Sequence, residues 1–504
     1  MKKKNYRIYS SVYKPGLVFF LLFFSMYGVS FSQSDNYWSW NFNTPSTLLA
    51  GSVVGGSAGP SAVYYNPALI DHESMPSLSL SANLVSLQFF KAKNIAGDGI
   101  DADKFIFKIQ PRFLSYVLPT KNEKLGFEAA VLSPVSEEIS YTIQHFEELD
   151  IIKRTLGAET YSGYLKYSRK YDDTWFGFGV SYQLSEQFYV GLSSFVSYKS
   201  LKYQYSQLAQ AYQESDSVIV DQNMEPRYIA ESGFDEELKY WDVSFVFKGG
   251  VQYKTKNDRI RVGANLTFPN IRFIGQADVR KSLYRSNVYN DSENAFTSNE
   301  IFIELEKNAK TTIKTPFSTA IGLQYFTKSR KNTISFTFEY FHGIDTYSIV
   351  DVPGSTGIGE DIIGNDFLSY FHSASSVINA GVGFKQFISP TFFVLGGFRT
   401  DFTSGISDNI RFTGGNFKIN QIHMDKYHIT VGPVLKIKRF DVVTGIQYSF
   451  GRNKDLDPLV NYAEPYEYIP QTGQALQGFR QDQASASINE IALFFGMTVD
   501  LNKK

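Results

Sequence analysis

Downstream of about residue 76 the chain repeats one unit: roughly ten residues of alternating apolar and polar or small side chains, then a turn, then another such stretch. Successive side chains of a strand point to opposite faces, so alternation means two different surroundings. In Trp241-Asp242-Val243-Ser244-Phe245-Val246-Phe247-Lys248-Gly249-Gly250-Val251-Gln252-Tyr253 the odd positions are nearly all large and apolar, while Asp242, Ser244, Lys248, Gly250 and Gln252 face the other way. The same holds for Ile334, Phe336, Phe338 and Tyr340 against Ser335, Thr337 and Glu339, and for Phe440, Val442, Ile446, Tyr448 and Phe450 against Asp441, Gly445, Gln447 and Ser449. Lipid would meet the first set, and a polar lumen the second. Counted in this way, strands start near 77, 105, 125, 173, 188, 241, 259, 316, 332, 377, 391, 426, 440 and 489, about fourteen in all. Only closure satisfies the edge strands in lipid, and an even antiparallel count returns both termini to one side. Brief turns at 119–124, 185–187, 255–258 and 328–331 alternate with much longer segments, which assigns the brief turns to the periplasmic side. The predicted fold class is therefore all-β, a transmembrane antiparallel barrel of about fourteen strands over residues 76–504. A soluble sandwich or propeller would not explain aromatic outward faces beside short–long turn alternation.

Composition and the N-terminus agree. Aromatics reach 16 %, with 44 Phe and 33 Tyr, yet mean hydropathy is only −0.21, a combination suited to a barrel wall. The 49 basic and 50 acidic residues leave a net charge of −1, without the basic footprint that nucleic-acid binding needs. Met1-Lys2-Lys3-Lys4 and Arg7 precede an apolar stretch from Gly16 to Phe31, and Ser30-Phe31-Ser32 fits small-x-small cleavage before Gln33, so residues 1–32 are expected to be a signal peptide. The apolar run, broken by Ser25 and Gly28, is short against the roughly 20 residues a spanning helix needs, and no later segment reaches that length. The absence of cysteine removes lipoprotein attachment, disulfides and thiol chemistry. Export without a helical anchor points to the outer membrane of a Gram-negative cell.

Residues 33–75 lack the period-2 pattern and are expected to form a separate element inside the lumen. Leu48 to Gly59 is rich in small residues, followed by Ser61-Ala62-Val63-Tyr64-Tyr65-Asn66-Pro67-Ala68-Leu69-Ile70. A small-residue stretch ending in Asn66-Pro67-Ala68-Leu69-Ile70, placed after a leader and before about fourteen strands, resembles the FadL/TodX family of outer-membrane transporters of hydrophobic compounds. The resemblance spans essentially the whole mature chain. It implies that 33–75 is a hatch plugging the barrel, that ligands enter from outside, and that they leave sideways at a kinked third strand. The C-terminal Leu501-Asn502-Lys503-Lys504 departs from the terminal aromatic expected of such barrels.

The third predicted strand alternates from Leu125 to Val131 and then meets Ser133-Pro134-Val135; proline cannot donate to the ladder, so Pro134 is the candidate kink, or else the strand ends there. Pro433, inside the twelfth predicted strand, shows that proline alone does not mark an exit. Glu128, Lys248, Glu339, Arg399 and Asp401 are predicted to face the lumen and must pair or stay wet. Lys248 and Arg399 are candidate contacts for an anionic headgroup, with a structural network to carboxylates or hatch as the competing role. Phe146-Leu149-Ile152 and Tyr205-Leu208-Tyr212 have helical spacing and suggest loop helices, exposed for capture or packed over the pore.

Catalytic and metal sites find no support. The six His residues, 72, 145, 342, 372, 423 and 428, lack metal spacing, His428 faces the predicted lumen, and Gly51 to Gly59 neither follows a strand nor carries a phosphate-loop lysine. No cofactor is expected. The predicted role is a monomeric, hatch-gated channel for a hydrophobic or amphipathic small molecule, a long-chain fatty acid or aromatic hydrocarbon, in contact with outer-membrane lipid. Binding would rest on apolar area, so charge reversal at Lys248 is expected to retain affinity. The alternative is a FadL-like barrel that docks a protein of a secretion system through long segments at 202–240 and 276–312.

Overall fold

Lipid satisfies no backbone hydrogen bond, so a sheet that crosses it has to meet itself. The computed structural model describes residues 35–501 apart from 40–41, 71–75, 153, 156, 214–216, 221–222, 227–228, 354–366, 407–417 and 481–483; the leader expected at 1–32 lies outside the described residues. The first seven barrel strands are β1 (Ser77–Lys93), β2 (Ala102–Leu118), β3 (Leu125–Leu149), β4 (Glu159–Gln183), β5 (Phe188–Tyr212), β6 (Ile229–Lys254) and β7 (Ile260–Thr267). The second seven are β8 (Ser318–Phe326), β9 (Asn332–Phe341), β10 (Val377–Ser389), β11 (Phe392–Asp401), β12 (Asp425–Ile437), β13 (Phe440–Leu456) and β14 (Ala484–Asp500). Neighbours pair antiparallel, β1 pairs with β14, and β6 pairs with β7 from Lys248↔Thr267 to Lys254↔Arg261, which closes the expected fourteen-strand ring. Among the described residues no helix is long and apolar enough to cross a membrane.

Two further strands, Ile271–Ser286 and Glu300–Lys310, extend the sheet to sixteen but stand outside the ring. Ile271–Ser286 takes over the edge of β6 from Phe245 upward, and Glu300–Lys310 pairs with it in turn. Pro269, which has no amide to donate, stands at the break between β7 and this hairpin. The Asn270 side chain fastens the break, donating to Ile313 O at 2.8 Å and accepting from Thr315 N at 2.6 Å.

Strands β3 to β6 run 25 or 26 residues, far more than the roughly 9–11 that cross a bilayer. Their alternation inverts on the way up. In the lower part of β4, Phe176, Phe178 and Tyr182 are exposed outside, and Ser181 is buried inside. Higher up, Lys166, Lys170 and Asp172 occupy the outer face, and Tyr161, Leu165, Tyr167 and Tyr171 are buried within. The change falls at the same level in β6, where Val251 and Tyr253 are exposed below and Phe234, Leu238 and Tyr240 are buried above. An apolar outer face over a polar lumen gives way to a polar outer face over packed loops. This overturns three expectations: β4 and β6 begin at 159 and 229 and not near 173 and 241, the segments 202–240 and 276–312 are largely strand, and Phe146, Leu149, Tyr205, Leu208 and Tyr212 belong to β3 and β5 and not to loop helices.

The upper interior is a core rich in tyrosine, whose ring is apolar and whose hydroxyl serves a loop carbonyl. Tyr161, Tyr167 and Tyr205 donate to Leu476 O (2.8 Å), Asn420 O (2.8 Å) and Leu459 O (3.2 Å), and Glu236 accepts from Tyr203 and Tyr370 at 2.5 and 2.8 Å. The long connections are thereby held inside the upper mouth.

A seam interrupts the wall between β2 and β3. β2 and β3 pair only from Phe113↔Leu132 down to Leu118↔Phe127, whereas β1–β2 continues up to Ala92↔Ala102 and β3–β4 to Leu149↔Glu159. The β3–β4 register slips between Leu132 and Val135, where Ser133-Pro134 lies, and the β1–β2 register slips where Ala82 meets Pro111. Neither proline has an amide hydrogen for the ladder.

Candidate functional site

From Phe42 to Ile70 the chain crosses the lumen in short helical turns, Thr44–Leu48 (α1), Gly59–Ser61, Ala62–Tyr65 (α2) and Pro67–Leu69. Such short turns leave most of their backbone groups without internal partners. Wall side chains supply them around the circumference. Ser81 Oγ accepts from Thr44 N (2.9 Å) and Glu128 from Val63 N (3.1 Å), while Ser115, Ser181, Gln252 and Thr430 donate to Pro60 O (2.9 Å), Ile70 O (2.9 Å), Gly55 O (3.0 Å) and Leu48 O (2.8 Å).

Asn66 ties this segment together and to the wall. It is fully buried; its Oδ1 accepts from Ala68 N at 3.1 Å, and its Nδ2 donates to Val54 O at 2.9 Å and to Val251 O of β6 at 3.0 Å. Only a side chain that both donates and accepts at this length meets all three. Asn66→Leu is expected to leave these groups unpaired at about 1–3 kcal/mol for each one buried. Limited proteolysis should then cut the hatch segment while the barrel stays intact; an uncut hatch would contradict this.

The wall is carved to fit. Gly191 and Gly250 are in register on β5 and β6, Gly263 and Gly322 on β7 and β8, and Gly383 and Gly397 on β10 and β11. A Cβ added at Gly191 would lie 2.2 Å from Pro67 C, at Gly250 2.1 Å from Asn66 Oδ1, at Gly263 2.1 Å from Val54 O, and at Gly322 2.3 Å from Gly55 N. The backbone of this N-terminal segment therefore rests directly on the sheet backbone at one level of the barrel.

Residues 35–39 are latched to β11 and β12. Arg399 donates to Trp38 O (3.0 Å) and Ser39 O (3.1 Å), and Asp401 accepts from Trp38 N (2.9 Å) and Ser39 Oγ (2.7 Å). Trp38 Nε1 donates to Glu339 at 2.7 Å, and the Asp35 carboxylate meets His423 Nδ1 at 2.8 Å. Burial pushes the Asp35 carboxyl up, but His423 beside it, with His372 and Arg169 farther off, more than offsets this and holds it below its usual range. A depressed acid holds its contact above the usual carboxylate range and loses it only as pH falls through the lowered value.

Lys248 and Arg399, the candidate headgroup contacts, are thus both engaged by the closed barrel: Lys248 donates to Thr267 at 2.8 Å and lies 4.2 Å over the Tyr64 ring, and Arg399 holds the latch. Below the hatch a cavity of 580 Å³ opens among Ser57, Pro60, Leu69, Lys254, Arg261, Lys436 and Arg439. Sequence reasoning did not single out the glycine belt, Pro111 or the Trp38–Asp401 latch. The first carried a usable signal, since lone glycines inside strands mark close backbone approach.

No protein-family model matches the chain, nor does the sequence of any curated protein. Solved structures do match. A FadL homologue of Pseudomonas aeruginosa aligns with a TM-score of 0.56 over 94 % of this chain and 100 % of its own, at 12 % identity. The toluene transporter TodX of Pseudomonas putida gives 0.51 over 94 % and 100 %, also at 12 % identity. The chain has the FadL/TodX type of barrel fold.

Proposed function

We propose that this chain is an outer-membrane channel for hydrophobic small molecules, long-chain fatty acids or aromatic hydrocarbons, with the hatch segment as its gate and the β2–β3 seam as a sideways exit at Pro134. The observation that carries the proposal is one continuous apolar cluster, from Phe42, Val63 and Tyr65 of the hatch through Trp175 and Phe195 to Phe113 and Leu132, the last paired residues of the seam. A hydrophobic solute following it gains roughly 25 cal/mol per Å² withdrawn from water. The like-folded TodX, a toluene transporter, supports the substrate class. Lys248 and Arg399 become available to a headgroup only when Tyr64 and the 35–39 segment let go. A single chain suffices for passive movement, with no cofactor. In cells lacking their own hydrophobe channels, expression of this chain should raise uptake of labelled toluene or oleate; no rise for either would reject the proposal.

A second reading, a protein-docking barrel, has one observation in its favour. Among the described residues the strand Glu300–Lys310 has no ladder partner on its outer edge, and it exposes Ile301 at 78 % and Ile303 at 67 %. Such an edge is a template for strand addition. A stoichiometric protein that co-purifies with the wild type and is lost from Ile303→Lys would put this reading first.

A further inference from the structure

On the outer face of three adjacent strands, Lys170 of β4 stands directly opposite Lys202 of β5, which stands directly opposite Lys239 of β6. Strands lie roughly 4.8 Å apart, so three ammonium groups form one short row. Like charges directly opposed across strands weaken a sheet. The fold does not require them, because the side chains of Lys170 and Lys239 are 52 % and 53 % exposed. Carboxylates attend the two ends of the row: Glu138 lies 3.6 Å from Lys170, Glu237 contacts Lys239, and Asp278 is opposite Lys239 in register. Lys202, at the centre, has no carboxylate within ion-pair distance among the described residues. A hollow of 450 Å³ opens over the row, which Asp172, Tyr198, Trp241 and Asn308 also line.

The height of the row identifies what it faces. One tier below, Ser200 pairs with Trp241, and two tiers below, Tyr198 pairs with Val243. In the nearer tier Asp172 and Gln276 flank that pair, and the apolar outer belt starts in the farther tier, where Ile274 stands beside Val243; the lysines stand two tiers above that belt. Tyrosine and tryptophan mark the bilayer interface, and lysines immediately above them lie among headgroups.

We propose that the Lys170–Lys202–Lys239 row binds the phosphate of a lipid headgroup in the outward-facing leaflet, a site that rests on the membrane-channel reading of the barrel. Ammonium groups bind phosphate as point charges, and Trp241 and Tyr198 seat the adjoining lipid body. The lipid supplies the negative charge that the row lacks at its centre.

The test uses the full chain in mild detergent, titrated with phosphatidic acid and with diacylglycerol of the same acyl chains, and read by native mass spectrometry. Phosphatidic acid should bind in preference, and Lys202→Glu should weaken it by about tenfold. In detergent without added lipid, Lys202→Glu should instead raise the thermal midpoint, since it replaces two repulsive cross-strand pairs with attractive ones. Opposite signs in the two readouts are not expected of a merely structural lysine. Equal binding by wild type and Lys202→Glu, or no preference for the phosphate lipid, overturns the proposal. Displacement by millimolar inorganic phosphate as complete as by the lipid would make this a soluble-anion site and also overturn it. Fractionation of the chain away from the outer membrane would remove the channel reading while leaving the titration result intact, so the two failures are distinguishable.

Discussion

Gly250→Val is expected to unseat the hatch and raise steady conductance in planar bilayers towards that of a chain lacking residues 33–70. The added Cβ would lie 2.1 Å from Asn66 Oδ1 and 2.8 Å from Pro67 Cδ, and both atoms belong to a tightly bonded turn that cannot yield locally. Overpacking of this kind costs about 1–3 kcal/mol, which changes the ratio of seated to unseated hatch by about 5- to 150-fold. The neighbouring Gly249→Val is the control. Gly249 points outward, and its Cβ would meet nothing closer than Phe268 Cε2 at 3.7 Å, so conductance should stay at the wild-type level. One residue of displacement along a strand reverses the face, and with it the outcome. Equal conductance in both variants and in the wild type would mean that the segment does not plug the pore.

Closing the seam should give the second large effect. Ser133→Thr with Pro134→Val restores a ladder donor and places two β-branched residues where the β3–β4 register now slips. One added backbone hydrogen bond is worth about 0.5–1.5 kcal/mol, which biases the wall towards closure by about two- to tenfold. Uptake of toluene or oleate should fall by that factor, with the hatch still seated. Hydrogen exchange of amides above Phe113 in β2 and above Leu132 in β3 should slow in step. Slower exchange with unchanged uptake would show that solutes leave elsewhere.

Most of the wall was legible because period-2 alternation is a local property. Phe336 and Phe338 against Ser335 and Thr337 declare their faces whatever else the chain does, and these faces are as expected. The same rule failed where surroundings changed sign. Residues 159–172 and 229–240 continue the alternation of the strands below them, but with Tyr161, Tyr167, Tyr171, Phe234, Leu238 and Tyr240 inside and Lys166, Lys170, Asp172, Asp235, Glu237 and Lys239 outside, so a criterion built on lipid-facing apolar residues stopped near 173 and 241. Tyr205-Leu208-Tyr212 suggested a helix by its spacing of three and four, but on one extended strand Tyr205 points inward and Tyr212 outward, so the three share no face. The place of Asn66-Pro67-Ala68 next to the barrel was legible as a resemblance, but its bonds to Val54 and Val251 were not.

By itself the sequence determined how many strands build the ring, which side chains face outward along most of it, and that a small-residue segment precedes the first strand. Each of these follows from a residue's own chemistry and that of its near neighbours. Only the tertiary structure decided how far β3 to β6 rise beyond the apolar outer belt, where β2 and β3 part, why glycines recur at one level, and that Lys170, Lys202 and Lys239 form a row. Those depend on register and on what stands opposite a residue across the sheet or the lumen, and neither partner carries that information alone.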